Sequence, residues 1–200
     1  MAVRKRGERP FTIGDAMVLI AALAAGFAWT AAAWKQFQPG EFYSPHPWGR
    51  AWQTIILANV GVLPCLLALT VGTFVVRVRQ PRPPWRWVAR QPGTTACLGV
   101  LICLASTVPL MAVWSMGQIR RNPGLQIEFH EQTAITLLEV MSTMAAPLGI
   151  FVFMTWLLLA IQRGWRGERT WIDRLGRFVG TAWIVVGGII GAEFMRIYAI

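Results

Sequence analysis

At 200 residues, with 55% hydrophobic and only 14% charged side chains, the chain has too little polar surface to cover a water-soluble domain, where about 25% charge is ordinary. Its net charge of +10 would by itself suit nucleic acid, but the basic residues lie between long apolar runs, where they meet anionic lipid headgroups instead. Length and pattern describe one integral membrane domain over residues 1–200, with no room for a separate soluble enzyme domain.

A bilayer core about 30 Å thick takes about 20 apolar helical residues to cross, and five runs qualify. The first is predicted at about residues 13–34, after a tail holding Arg4, Lys5, Arg6 and Arg9 against Glu8. It opens on Thr12-Ile13-Gly14-Asp15, a capping box in which the carboxylate serves the helix start. Ala21, Ala22, Ala24, Ala25, Gly26 and Ala28 make small-x-x-x-small pairs, which let backbones approach closely in lipid. Ala31-Ala32-Ala33 resembles a cleavage site, yet the apolar run exceeds a signal core, so an uncleaved anchor is expected.

An outer loop over residues 35–51 carries Pro39, Gly40, Pro45, Pro47 and several aromatics, and a second span follows at about 52–76. The loop from Arg77 to Pro92 holds Arg77, Arg79, Arg82, Arg86 and Arg90 and no acid, interleaved with Pro81, Pro83, Pro84, Trp85 and Trp87. Its prolines favour extended backbone, and its arginines are placed to reach lipid phosphates. The third span is predicted at about 95–117 and the fourth within 134–161, separated by a loop with Arg120, Arg121, Glu128, His130 and Glu131. Arg163, Arg166, Arg169, Arg174 and Arg177 mark another basic loop, with Glu168 and Asp173. There Thr170-Trp171-Ile172-Asp173 forms a second capping box, which predicts a short interfacial helix before a fifth span at about 178–195.

The three basic segments hold fourteen of the 19 Lys and Arg residues; Lys35, Arg50, Arg120 and Arg121 fall in the other loops, and Arg196 near the end of the last span. By the positive-inside rule this places the N-terminus in the cytoplasm and the C-terminus outside. The tryptophans divide the same way, Trp29, Trp34, Trp48, Trp52 and Trp114 near one interface and Trp85, Trp87, Trp165 and Trp171 near the other. The fold expected is an all-α membrane protein, a bundle of about five transmembrane helices.

The stretch Phe11-Thr12-Ile13-Gly14-Asp15-Ala16-Met17-Val18-Leu19-Ile20-Ala21-Ala22, behind its basic tail, resembles the start of many uncharacterised small multi-pass membrane proteins of bacteria. These begin with a basic tail, then Phe-Thr-Ile-x-Asp and an Ala/Leu-rich first span. The resemblance covers the first helix alone. It implies a bacterial inner-membrane protein and brings no activity and no functional residue with it.

Candidate chemistry is sparse. Pro64, Pro109 and Pro147 fall about half-way along spans two to four, where each removes a helical hydrogen bond and bends its helix. Ser106, Thr107, Ser142 and Thr143 stand ready to serve freed carbonyls. Three kinks at one depth would frame a cavity as in transporters, but Asn59 is the only strongly polar side chain near that depth, so plain helix packing is the preferred reading. Glu139 and Glu193 are the carboxylates nearest the hydrocarbon. Glu139 is expected at the outer interface, and Glu193 one turn before Arg196 as a local ion pair.

Glu128, His130 and Glu131, with His46, form an outer group whose spacing matches no zinc signature, and no histidine lies within a span to hold haem. Cys65, Cys97 and Cys103 read as buried thiols, with no Cys-x-x-Cys among them. No cofactor or metal is therefore expected. Gly187-x-x-x-Gly191, with Gly180 on nearly the same face, predicts a close helix contact in this chain or with a partner.

The leading functional expectation is a non-catalytic membrane protein that assembles with itself or with partner subunits. A small oligomeric transporter or channel along the proline-bearing spans comes next. An intramembrane enzyme acting on lipid through Glu139, His130 or Glu131 comes last.

Overall fold

The structure is a computed structural model and describes residues 11–36, 55, 58–79, 91–121, 129–162 and 170–198; within the helices, the side chains of 33, 36, 58, 59, 107, 108, 110–121, 129–143, 197 and 198 lie outside the description. Every described element is helical. The order is α1 (Ile13–Gln36), a π turn (Ala58–Val62), α2 (Leu63–Val78), α3 (Pro92–Arg121), α4 (Phe129–Ile161) and α5 (Trp171–Tyr198). Four stretches among them are long and apolar enough to cross a bilayer: Ile13–Ala32, Val60–Val78, Met144–Ile161 and Trp171–Arg196. In α3 the apolar stretch of described side chains, Pro92–Ser106, is shorter.

Two boundaries differ from those expected. Pro64 does not sit in a uniform helix, because a π turn precedes α2 and Pro64 falls in that helix's first turn. A proline at 64 offers no N–H to the carbonyl of Val60 and its ring crowds that oxygen; widening the preceding turn relieves both. The second difference is that, among the described residues, no separate helix leads into the last apolar one. α5 runs unbroken for 28 residues from Trp171, since nothing between Asp173 and Phe178 breaks a helix. Gly176 in that stretch is held by packing against Gly93.

The pairing of the helices follows from which small residues meet. Gly14 lies under Arg79, Gly72 against Ala22, and Gly26 against Cys65 and Ala68, so α1 and α2 run antiparallel. Gly99 meets Phe151 across α3 and α4, while Gly149 meets Trp183 and Gly187 across α4 and α5; both pairs are antiparallel too. Gly93 meets Gly176, and Ala96 meets Gly180, which sets α3 and α5 parallel. The N-terminal ends of α1, α3 and α5 therefore share one end of the bundle, where the Phe11 and Trp171 rings meet edge to face at 4.7 Å.

α5 is the centre. It packs on α2, α3 and α4, whereas α1 packs chiefly on α2 and the π turn. Leu66, Cys97, Val100, Leu148, Val152, Val179, Trp183 and Ile190 form the buried core around it. Ile20, Phe27, Ile102, Phe153, Leu158 and Met195 point away from the bundle, which puts apolar surface on the periphery, as a bilayer requires of a multi-helix protein.

Candidate functional site

The densest polar group among the described side chains lies at the end shared by the N-termini of α1, α3 and α5. It begins with the local chemistry of α3. Pro92 opens that helix where no backbone N–H is needed, and Thr95 N donates to Gln91 O at 3.0 Å to close the first turn. The Thr95 hydroxyl donates back to the Gln91 and Pro92 carbonyls at 3.1 Å. Across the bundle, Trp156 of α4 donates its indole N–H to Pro92 O at 2.9 Å.

Gly93 carries the next link. A Cβ here would stand 2.7 Å from the Asp173 carbonyl oxygen, and one at Gly176 2.8 Å from the Gly93 backbone, so the two helix starts touch main chain to main chain. That approach lets Asp173 Oδ1 accept from Gly93 N at 3.3 Å. Its Oδ2 faces Arg177 Nε at 3.3 Å, an ion pair outside hydrogen-bond geometry. Asp173 is 1% exposed, so its charge is held between α5's own arginine and the amide end of α3.

α2 completes the group. Arg77 donates through Nη2 to Gln91 Oε1, which also accepts from the Thr94 hydroxyl at 3.3 Å. Deeper in the bundle, Trp183 Nε1 donates to Thr70 Oγ1 at 2.9 Å, and Thr70 donates to Leu66 O at 2.7 Å, tying α5 to α2. A narrow crevice opens between α2, α3 and α5, lined by Thr73, Phe74, Arg77, Thr94, Cys97 and Ile172. At this end of the bundle the Thr73 hydroxyl, the Gln91 Nε2 amide, the Thr170 hydroxyl and the Trp171 indole N–H are buried without a hydrogen-bond partner among the described residues. Each of these can donate a hydrogen bond.

Most of the candidate residues singled out from sequence have no described side chain to place beside this group. Asn59 belongs to the π turn, and Glu139, His130 and Glu131 belong to the first half of α4, all with side chains outside the description; His46 and Glu128 lie outside the described residues. Pro64 is buried, whereas Pro109 and Pro147 are exposed on α3 and α4. Ser106 donates to Cys103 O at 2.8 Å rather than to the Ala105 carbonyl that Pro109 leaves unpaired. Glu193 lies 4.0 Å from Arg196, a turn away on the same helix.

The glycines of α5 have their neighbour. Gly187 packs on Ala145 and Gly149, Gly180 on Trp156 and Ala96, and Gly191 on Ala146. That face is occupied within the chain. Among the described residues no three His, Cys, Asp or Glu side chains gather as for a metal ion. The stretch Arg82–Arg90 and the arginines 163, 166 and 169 lie outside the described residues.

Sequence reasoning missed the Asp173–Gly93 bond and the crevice. The available signal was the pair of glycines, Gly93 and Gly176, each one residue or a turn inside a helix start, which marks places where backbones approach closely. No family model matches the chain, and no curated protein and no solved structure is similar to it.

Proposed function

We propose that the chain is a five-span protein of a bacterial inner membrane, N-terminus in the cytoplasm and C-terminus outside. In this reading it acts without catalysis, as an assembly or accessory subunit in a complex with itself or with other membrane proteins. The basic ends of the helices support the orientation: Arg77, Arg79, Arg174 and Arg177 stand at the end where α1, α3 and α5 begin.

One observation carries the assembly role. The small residues of α1 divide between two faces: Gly26 and Ala22 meet α2, while Ala21, Ala24, Ala25 and Ala28 remain exposed. The outward pairs Ala21/Ala25 and Ala24/Ala28 repeat the small-x-x-x-small spacing by which helices associate in lipid. α1 is also the peripheral helix, packing chiefly on α2. Transport and lipid chemistry draw no comparable support, since Pro109 and Pro147 face away from the bundle and from the buried Pro64.

The test is mild solubilisation from the native membrane followed by native mass spectrometry, on the wild type and on Ala25→Leu with Ala28→Leu. A stoichiometric complex that the double variant loses is the expected outcome. A monomer carrying no other protein would overturn the assignment.

A further inference from the structure

We propose that the outer face of α3 receives the α1 of a second copy of this chain, the Trp29 indole N–H of one copy donating to the Ala105 carbonyl of the next. The proposal rests on the membrane placement and the assembly role given above, and it names the second face and the bond that joins the two.

The acceptor is set by a proline. Pro109 has no N–H to return to the Ala105 carbonyl, so that oxygen loses its helical partner. Ser106, the hydroxyl beside it, donates to Cys103 O at 2.8 Å instead. Ile102, Ala105, Ser106 and Pro109 are all exposed, so the freed oxygen lies on an outward face of α3. In hydrocarbon no water serves such an oxygen, and a donor from a neighbouring helix restores the bond.

The donor stands on α1. Trp29 is 36% exposed and follows Ala21 and Ala25, both exposed, at steps of four residues along one ridge of the helix. Small residues on that ridge, and Ala105 itself opposite, let two backbones come close enough for an indole to reach a main-chain oxygen. The hydroxyls of Thr155 and Thr181 are already given to Phe151 O and Arg177 O of their own helices.

Depth selects this pair. Copies in one membrane share an orientation, so a donor and an acceptor on different copies must be level. The level is read from α2, where Gly72 meets Ala22 of α1 and the adjacent Thr73 lines a crevice with Thr94 and Cys97 of α3. From there α1 and α3 run the same way. Trp29 lies seven residues beyond Ala22 and Ala105 eight beyond Cys97, about 11 Å and 12 Å of helix. The contact joins unlike faces, so the copies close as a pair or a ring about an axis along the membrane normal.

The experiment reads association of the full chain by energy transfer between two labelled copies in phosphatidylcholine vesicles, over a range of protein-to-lipid ratios. Trp29→Phe keeps the aromatic ring and removes the N–H; it is expected to weaken association about tenfold, the effect of one hydrogen bond. Pro109→Ala returns an N–H to the Ala105 carbonyl and is expected to weaken association by a similar factor. In that background Trp29→Phe is expected to cost nothing more, because the bond is already gone. Thermal unfolding profiles of the variants separate lost association from lost fold. Wild-type association in Trp29→Phe, or losses that add in the double variant, would overturn the proposal. A chain that assembles only with other proteins overturns it too and leaves the assembly role standing, whereas a monomer bound to no other protein overturns both.

Discussion

A carboxylate 1% exposed must be matched on every side, and Asp173 is matched by a backbone amide from one helix and a guanidinium from its own. Asp173→Ala strands the Gly93 N–H and leaves Arg177 unbalanced. Arg177 is 37% exposed at its side chain, so water recovers part of that loss, and the expected destabilisation is about 1–3 kcal/mol. Asp173→Asn keeps an acceptor for Gly93 and is expected to lose less than half as much; reversible denaturant unfolding in detergent micelles checks both. Asp15 has the same local sequence frame and a different fate. Thr12 N donates to Asp15 Oδ2 at 3.1 Å and Asp15 N to Thr12 Oγ1 at 3.2 Å, the reciprocal box read from the sequence. At Thr170 and Asp173 the same pattern gives no such box: the Thr170 hydroxyl is unpartnered and the carboxylate reaches across to α3. Local spacing is blind to that choice, because it depends on a helix eighty positions away in the chain.

Among the elements, the contact of α4 with α5 is the tightest. A Cβ on Gly187 would lie 2.5 Å from the Ala145 carbonyl oxygen, and one on Gly149 2.7 Å from that of Trp183. A Cβ on Gly188, the next residue, would meet open space. Gly187→Ala is therefore expected to force the helices apart at a cost of about 1–3 kcal/mol, while Gly188→Ala leaves stability unchanged or slightly raised. The pair differs by position alone, and unfolding in micelles under identical conditions measures it directly. The small-residue spacing was visible in the sequence, as were the apolar runs that become the helices. Which helix fills the glycine face was not, since Gly-x-x-x-Gly states how near a neighbour comes and says nothing of its identity. The π turn was hidden for another reason. Pro64 announces a disturbed helix, but kinking and widening relieve the same clash, and packing decides between them.

At the scale of the molecule, α3 settles the count of crossings. α1, α4, α5 and α2 together with the end of its π turn each supply a bilayer-length apolar stretch, whereas the described apolar part of α3 ends at Ser106 although the helix continues to Arg121. If α3 crosses as proposed, the termini lie on opposite sides of the membrane. Reporter domains fused to each end are expected to show an N-terminus in the cytoplasm and a C-terminus outside. Both reporters on one side would mean an even number of crossings and a different placement of α3. Helical class and the long apolar stretches were legible because hydropathy is summed over many residues. The polar group at the helix starts was not, because it is assembled from single side chains on four segments of chain.

The central position of α5 also orders events in time. It is the last described helix to leave the ribosome, and it is the one on which α2, α3 and α4 all pack. Until it is inserted, Gly149 and Ala145 face no partner helix, and Thr70 waits for the indole of Trp183. If the helices insert as proposed, the nascent protein passes through a stage with the earlier helices in the bilayer and no centre to gather them. Chains interrupted before α5 would present these unsatisfied faces to the membrane's quality-control proteases, while completed chains would close around their final segment.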